Sequence, residues 1–222
     1  MALAGKGAIC IWNDITPEGR EEFYAWHLHE HMPERAAVPG FLRSRRFIAL
    51  DGATQPEFFT LYETHDASVH TSAPYLARLN APTPWTRTAT QAFRNTSRAL
   101  TVVQASFGPG AGGVLATIRF AVEEARRDEV IVTLSGEVLP AMAALPEIAG
   151  VHLCTTDKDA SASKTAESKD RKDILAAPDW VVLIEGCGDA AVMKALAIFD
   201  QQARGLLMGD ANTGLYRLEY QC

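Results

Sequence analysis

Three of the six histidines in this 222-residue chain fall within five positions: His27, His29 and His31, in the run WHLHEHMPER (26–35). On a helix His27 and His31 stand four apart and share a face, while His29 points elsewhere. Two imidazoles one turn apart can bind a metal, move protons near neutral pH, or lie in solvent. The sequence holds no second H-x3-H, no HExxH and no cysteine cluster, so no metal is expected. Glu30 lies beside His31 and would orient or charge-tune an imidazole, which makes His31, His27 and Glu30 the candidate catalytic group. An oxyanion formed nearby would need a donor. Arg46 and Tyr62 qualify, because strand alternation sets Arg46 with Ser44 on one face and Tyr62 with Phe58 and Thr60 on one face. Trp12 and Trp26 are candidate cavity linings. Asn80 and Trp85 belong to a proline-stiffened run, Leu79–Thr86, suited to closing a cavity mouth.

The elements that must position these groups emerge from comparing the two halves of the chain. His31-Met32-Pro33 leads to Val38-Pro39, and Val138-Leu139-Pro140 leads to Leu145-Pro146; both prolines repeat at a shift of 107. Between the halves Gly108-Pro109-Gly110-Ala111-Gly112-Gly113 supports neither helix nor strand and marks a boundary between domains 1–107 and 114–222. Each half reads strand, helix, strand, strand, helix, strand. That order is the ferredoxin-like βαββαβ unit, an antiparallel sheet with both helices on one face. The expected class is α+β: two tandem ferredoxin-like domains packed sheet to sheet as a pseudo-dimeric α+β barrel, with a central cavity where the open faces meet. An extra run in the second half, KDASASKTAESKDRKD (158–173), reads as a solvated, mobile loop. At the shift of 107, His27 becomes Leu134 and His31 becomes Val138, whereas Glu30 remains a carboxylate as Glu137. Loss of both imidazoles from one copy assigns chemistry to the first half and scaffolding to the second.

W-H-x-x-E-H-x-P (Trp26–Pro33), followed by P-G-F-x-R-x-R-R-F (Pro39–Phe47), resembles the first helix and second strand of EthD-type members of the dimeric α+β barrel superfamily. The resemblance covers about the first 105 residues; the second half follows only in fold order and proline spacing. It implies a cavity for small hydrophobic organic molecules. The relatives span cofactor-free monooxygenases, isomerases, dehydratases, cyclases and haem-dependent enzymes, so the fold does not select a reaction.

Composition narrows the partners. Twenty-one Lys+Arg against 27 Asp+Glu give a net charge of -6, which disfavours nucleic acid and anionic membrane. No run is apolar for the roughly 20 residues of a membrane span, and a cytoplasmic location is expected. There is no GxGxxG, no GxxxxGK[ST] and no GxSxG, which argues against dinucleotide, P-loop and serine-hydrolase chemistry. The leading expectation is a histidine acid/base enzyme without cofactor, of lyase or isomerase type, acting on an aromatic or lactone-like acid or ketone, and homodimeric. The alternatives are a cofactor-free or haem-dependent monooxygenase-like oxidoreductase, and a non-catalytic ligand-binding barrel.

Overall fold

Strand alternation and two proline-ended helices generate the architecture, seen in a computed structural model that describes residues 2–168 and 173–222. The first half contains β1 (Gly7–Ile15), α1 (Arg20–Trp26), a π turn (His27–His31), α2 (Met32–Ala36), β2 (Phe41–Ala49), β3 (Phe58–Thr64), α3 (Ala73–Asn80), α4 (Pro84–Ala89) and β4 (Phe93–Phe107). The second runs β5 (Val114–Ala121), α5 (Arg127–Thr133), a π turn (Leu134–Val138), α6 (Leu139–Ala143), β6 (Ile148–Thr156), α7 (Lys158–Ala162), β7 (Trp180–Gly186), α8 (Asp189–Ala203) and β8 (Met208–Gln221). The π turns repeat for a physical reason. Pro33 and Pro140 have no N–H and crowd the carbonyl four residues back, so the ladder widens, and Met32 and Leu139 bond to the carbonyls of His27 and Leu134 five residues earlier.

All strand pairs are antiparallel and close into a barrel in the order β1-β3-β2-β8-β5-β7-β6-β4. Adding four to each number of the series β4-β1-β3-β2 yields β8-β5-β7-β6, so the halves repeat in space as well as in sequence. β4 and β8 are the longest strands, 15 and 14 residues, because each pairs within its own half and again across a seam with β6 or β2. Closure leaves no sheet edge to aggregate. No described helix is long and apolar enough to cross a membrane.

The barrel interior corrects one expectation. Where a central cavity is expected, the described residues form a packed core of Cys10, Trp12, Phe47, Phe59, Leu183 and Tyr216, with Trp12 and Phe59 ring centroids 5.1 Å apart. Beside this core lies a sealed ion network. Arg45, Glu63, His152 and Glu185 are all fully buried. Arg45 reaches Glu63 in its own half at 2.9 Å and Glu185 of the other half at 2.5 Å. Burial opposes ionisation of Glu185, but hydrogen bonds from Arg45 and His152 hold its pKa down at about 2. The desolvation cost of such a buried pair offsets most of its Coulombic gain, whereas removing one partner would strand the other's charge.

The extra segment is a second correction. Residues 158–168 and 173–177 pack onto the first half: Ser161 Oγ accepts from Leu100 N (2.9 Å), and Leu175 N donates to Thr96 O (2.8 Å). Polar composition misled because the segment is held by backbone and side-chain hydrogen bonds, which hydropathy does not register. Residues 169–172 of that run lie outside the described residues.

Candidate active site

The histidines face away from the barrel interior. Residues 9, 11 and 13 of β1, 44 and 46 of β2, 60 and 62 of β3, and 98 and 100 of β4 project to the helix side of the sheet, where α1, its π turn and α2 cover them. Between helix and sheet lies a cavity of about 40 Å³ lined by Asn13, Trp26, His27, His31, Arg35 and Tyr62, among others. The His31 ring rests on Trp26 (centroids 4.3 Å) and stacks on His27 (5.3 Å, 22° between planes). Tyr62 stands edge-on to it at 6.4 Å.

The two imidazoles differ in what they can do. His27 Nδ1 lies 3.4 Å from Arg46 Nη1. A guanidinium only donates, so this nitrogen accepts and the ring proton is assigned to Nε2. Burial, helped by His31, Arg46 and Arg35, pushes the His27 pKa well below its usual value, so the ring is neutral at pH 7. With its acceptor nitrogen engaged by Arg46, His27 packs on His31 as a neutral ring and positions it. Tyr62 is 2% exposed, and its hydroxyl has no hydrogen-bond partner among the described residues. Burial drives its pKa far up, so it keeps its proton and can only stabilise an anion by donating. Arg35 is buried too. Desolvation pulls its pKa down, but the ion pair with Glu167 outweighs that and holds the guanidinium charged.

The structure gathers some expected site residues and separates others. His27, His31, Trp26 and Tyr62 line one cavity, and Arg46 touches it through His27 while pairing with Glu219 at 3.1 Å. Glu30 does not reach the imidazoles. Its Oε1 accepts from Trp26 Nε1 (3.2 Å), Thr83 Oγ1 (2.6 Å) and Thr86 Oγ1 (3.1 Å), bracing the helix against α4. Trp12 is on the opposite face of the sheet, its Nε1 donating to Thr117 Oγ1 across the barrel interior (3.2 Å). Trp85 bonds to Glu22 away from the cavity, and exposed Asn80 accepts from Ala166 N (3.0 Å) and so holds the extra segment. Sequence reasoning missed Asn13, Arg35, Arg98 and Glu167. Arg35 had a signal, because it continues the His27–His31 face by one more step of four. Glu167, 132 residues from Arg35, had none.

No family model matches the chain, and no curated protein matches it in sequence. Solved structures do match over nearly the whole length. An anthrone oxidase-like protein superposes with TM-score 0.65 at 10% identity, covering 100% of this chain and 95% of that one. A candidate monooxygenase from Lactobacillus acidophilus NCFM gives TM-score 0.62 at 11% identity over 98% and 96%. A haem-binding protein from Thermus thermophilus gives 0.54 at 10% over 97% and 92%. The fold is the dimeric α+β barrel. In this chain the barrel is pseudo-dimeric, both halves being supplied by one polypeptide. The neighbours also overturn the leading expectation of a lyase or isomerase: the barrels this chain resembles are described by oxygenation and haem, not by elimination or isomerisation.

As it stands, the chamber beside His31 has no room for a porphyrin: Trp26 and His27 pack on the His31 ring with centroids at 4.3 and 5.3 Å, and its volume of about 40 Å³ is far below the roughly 300–1,000 Å³ of cofactor sites. Among the described residues no group of three or more His, Cys, Asp or Glu is placed to hold a metal ion.

Proposed function

We propose that the chain is a cofactor-free monooxygenase-like oxidoreductase acting on a small electron-rich aromatic of the anthrone type. The observation that carries this reading is the buried pair of His31 and a Tyr62 hydroxyl that has no partner among the described residues, in one cavity, on a fold whose structural neighbours include an anthrone oxidase-like protein. Such a substrate needs only a base and an oxyanion donor to become reducing enough for dioxygen. His31 takes a proton from the methylene group flanked by the rings, and the electron pair moves onto the carbonyl oxygen. Tyr62 Oη and the Arg35 guanidinium face that oxyanion as donors. The anion gives one electron to dioxygen, and the two radicals join in a carbon–oxygen bond. The imidazolium returns its proton to the distal peroxide oxygen. Loss of water, with the second C–H proton, leaves a ketone. In sum, one methylene group and one dioxygen become one ketone carbonyl and one water, with no external reductant.

The test is oxygen uptake and quinone absorbance on mixing the protein with anthrone in aerated buffer. His31→Gln and Tyr62→Phe are expected to slow both together. Uptake no faster than in protein-free buffer overturns the reading. The EthD-type resemblance, an origin by duplication with units 1–107 and 114–222, a cytoplasmic location and a further homodimer belong to the same proposal. Size-exclusion chromatography with light scattering reads the last of these directly.

A further inference from the structure

Next to the histidine cavity is a second, larger one of about 370 Å³. The two share lining residues Arg98 and Ser168, so they adjoin. Its walls are the extra segment of the second half, folded against β4 of the first. One side is apolar, with Ile174 and Leu175 about half exposed. The other is cationic: Arg98, Lys158 and Lys164 line it against one carboxylate among the described residues, that of Asp179, which Lys158 meets at 3.0 Å. Arg98 bonds only to a neutral hydroxyl, Tyr75 Oη at 3.3 Å, and has no carboxylate partner among the described residues. Thr96, 4% exposed, lines the same cavity with a hydroxyl that has no partner among the described residues. A patch that, among the described residues, carries two positive charges without a carboxylate partner and a spare buried hydroxyl, in a protein of net charge -6, suits an anion.

We propose that the two cavities form one bipartite substrate site, in which the oxidisable ring sits at His31 and Tyr62 and a carboxylate arm is held by Arg98, Lys158 and Lys164. The inference rests on the reading of the histidine cavity given above. It also accounts for size. About 40 Å³ admits no aromatic substrate, whereas the adjoining 370 Å³ lies within the range for organic ligands. The partition between them is residues 165–168, fastened by Arg35–Glu167, by Asn80 with Ala166 N, and by Leu79 O with Glu167 N (3.1 Å). Shifting that short stretch joins the chambers.

The experiment is calorimetric titration of the full chain with anthracene-2-carboxylate and with its neutral analogue, anthracene-2-carboxamide. The carboxylate is expected to bind about tenfold more tightly at low salt, with the advantage shrinking as salt rises. Lys158→Gln/Lys164→Gln should erase most of that preference while leaving carboxamide affinity near wild type, which also reports that the variant is folded. Equal affinity for the two probes, a preference that survives the substitutions, or no binding of either probe overturns the inference. Binding and turnover fail separately. A charge preference without oxygen uptake defeats the oxygenase reading alone, and oxygen uptake without a charge preference defeats the bipartite site alone.

Discussion

The space between helix and sheet exists twice in this molecule and is filled in opposite ways. In the first half it holds Asn13, His27, His31, Arg35, Thr60 and Tyr62; the matching positions of the second are Phe120, Leu134, Val138, Met142, Val182 and Ile184. Backbone does not explain the contrast, since each helix has the same π turn followed by proline. The π turn is therefore scaffold, and the side chains lining the space carry the distinction. The apolar layer is a continuous core that packs α5, α6 and α8 on the sheet. The polar layer leaves Tyr62 Oη and Arg35 Nη1 buried without hydrogen-bond partners among the described residues, at a cost of about 1–3 kcal/mol for each such group. One half fills this space with apolar core, and the other leaves polar groups buried there.

Exchanging the layers is the strongest test of that comparison. His27→Leu with His31→Val writes the second half's residues into the first and should lower anthrone-dependent oxygen uptake by about 10²–10⁴-fold. The melting temperature should hold or rise, because two buried polar rings become core. A collapse of the fold would show that the polar layer is structural. Next in size, Tyr62→Phe removes only a hydroxyl. It should cut kcat by about 10–10²-fold, somewhat less than removal of a dedicated oxyanion donor, because Arg35 remains, and it should leave stability unchanged or higher.

Acid should also separate the halves. His27 and His70 are both buried, and burial lowers their folded pKa values, that of His70 to about 4. Below the ordinary histidine value near 6.5 the unfolded chain binds protons that these two rings refuse in the folded state. Stability present above about pH 6.5 is thus lost as pH falls, for His70 down to about 4, with a slope of up to about 1.4 kcal/mol per pH unit for each ring. Urea melts at a series of pH values read this. His27→Leu should flatten the slope, and hydrogen exchange should loosen in the first half before the second. A slope unchanged by His27→Leu would remove His27 from the account. The smallest effect expected is at the partition between the cavities: Asn80→Ala, which removes the bond to Ala166 N, should change KM about two- to fivefold and speed amide exchange at residues 166–168, leaving kcat nearly constant.

The two layers also show what could be read in advance. His27, His31 and Trp26 were legible because helical spacing puts a local motif on a local surface, and the missing imidazoles of the second copy marked which half to inspect. Glu30 was misread. Its neighbours in the chain are histidines, but its hydrogen-bond partners, Thr83 and Thr86, come from α4 and the residue that caps it. Trp12 and Tyr62 were expected together, and alternation alone cannot refute that. The pairing of β1 with β3 does, since Ile9 is opposite Tyr62 and Trp12 opposite Phe59, which sends the two to different faces.

By itself the sequence determined the repeat, the βαββαβ order of each half and the helix face that bears the imidazoles, because all three are periodicities within a segment or comparisons between segments. Only the tertiary structure decided which sheet face is interior. It also decided that Arg45 would bond to Glu185 across the barrel and that a polar insertion of the second half would line the histidine cavity of the first. Those outcomes depend on hydrogen bonds and ion pairs between residues about 60 to 140 positions apart, and such partners leave no trace in local pattern.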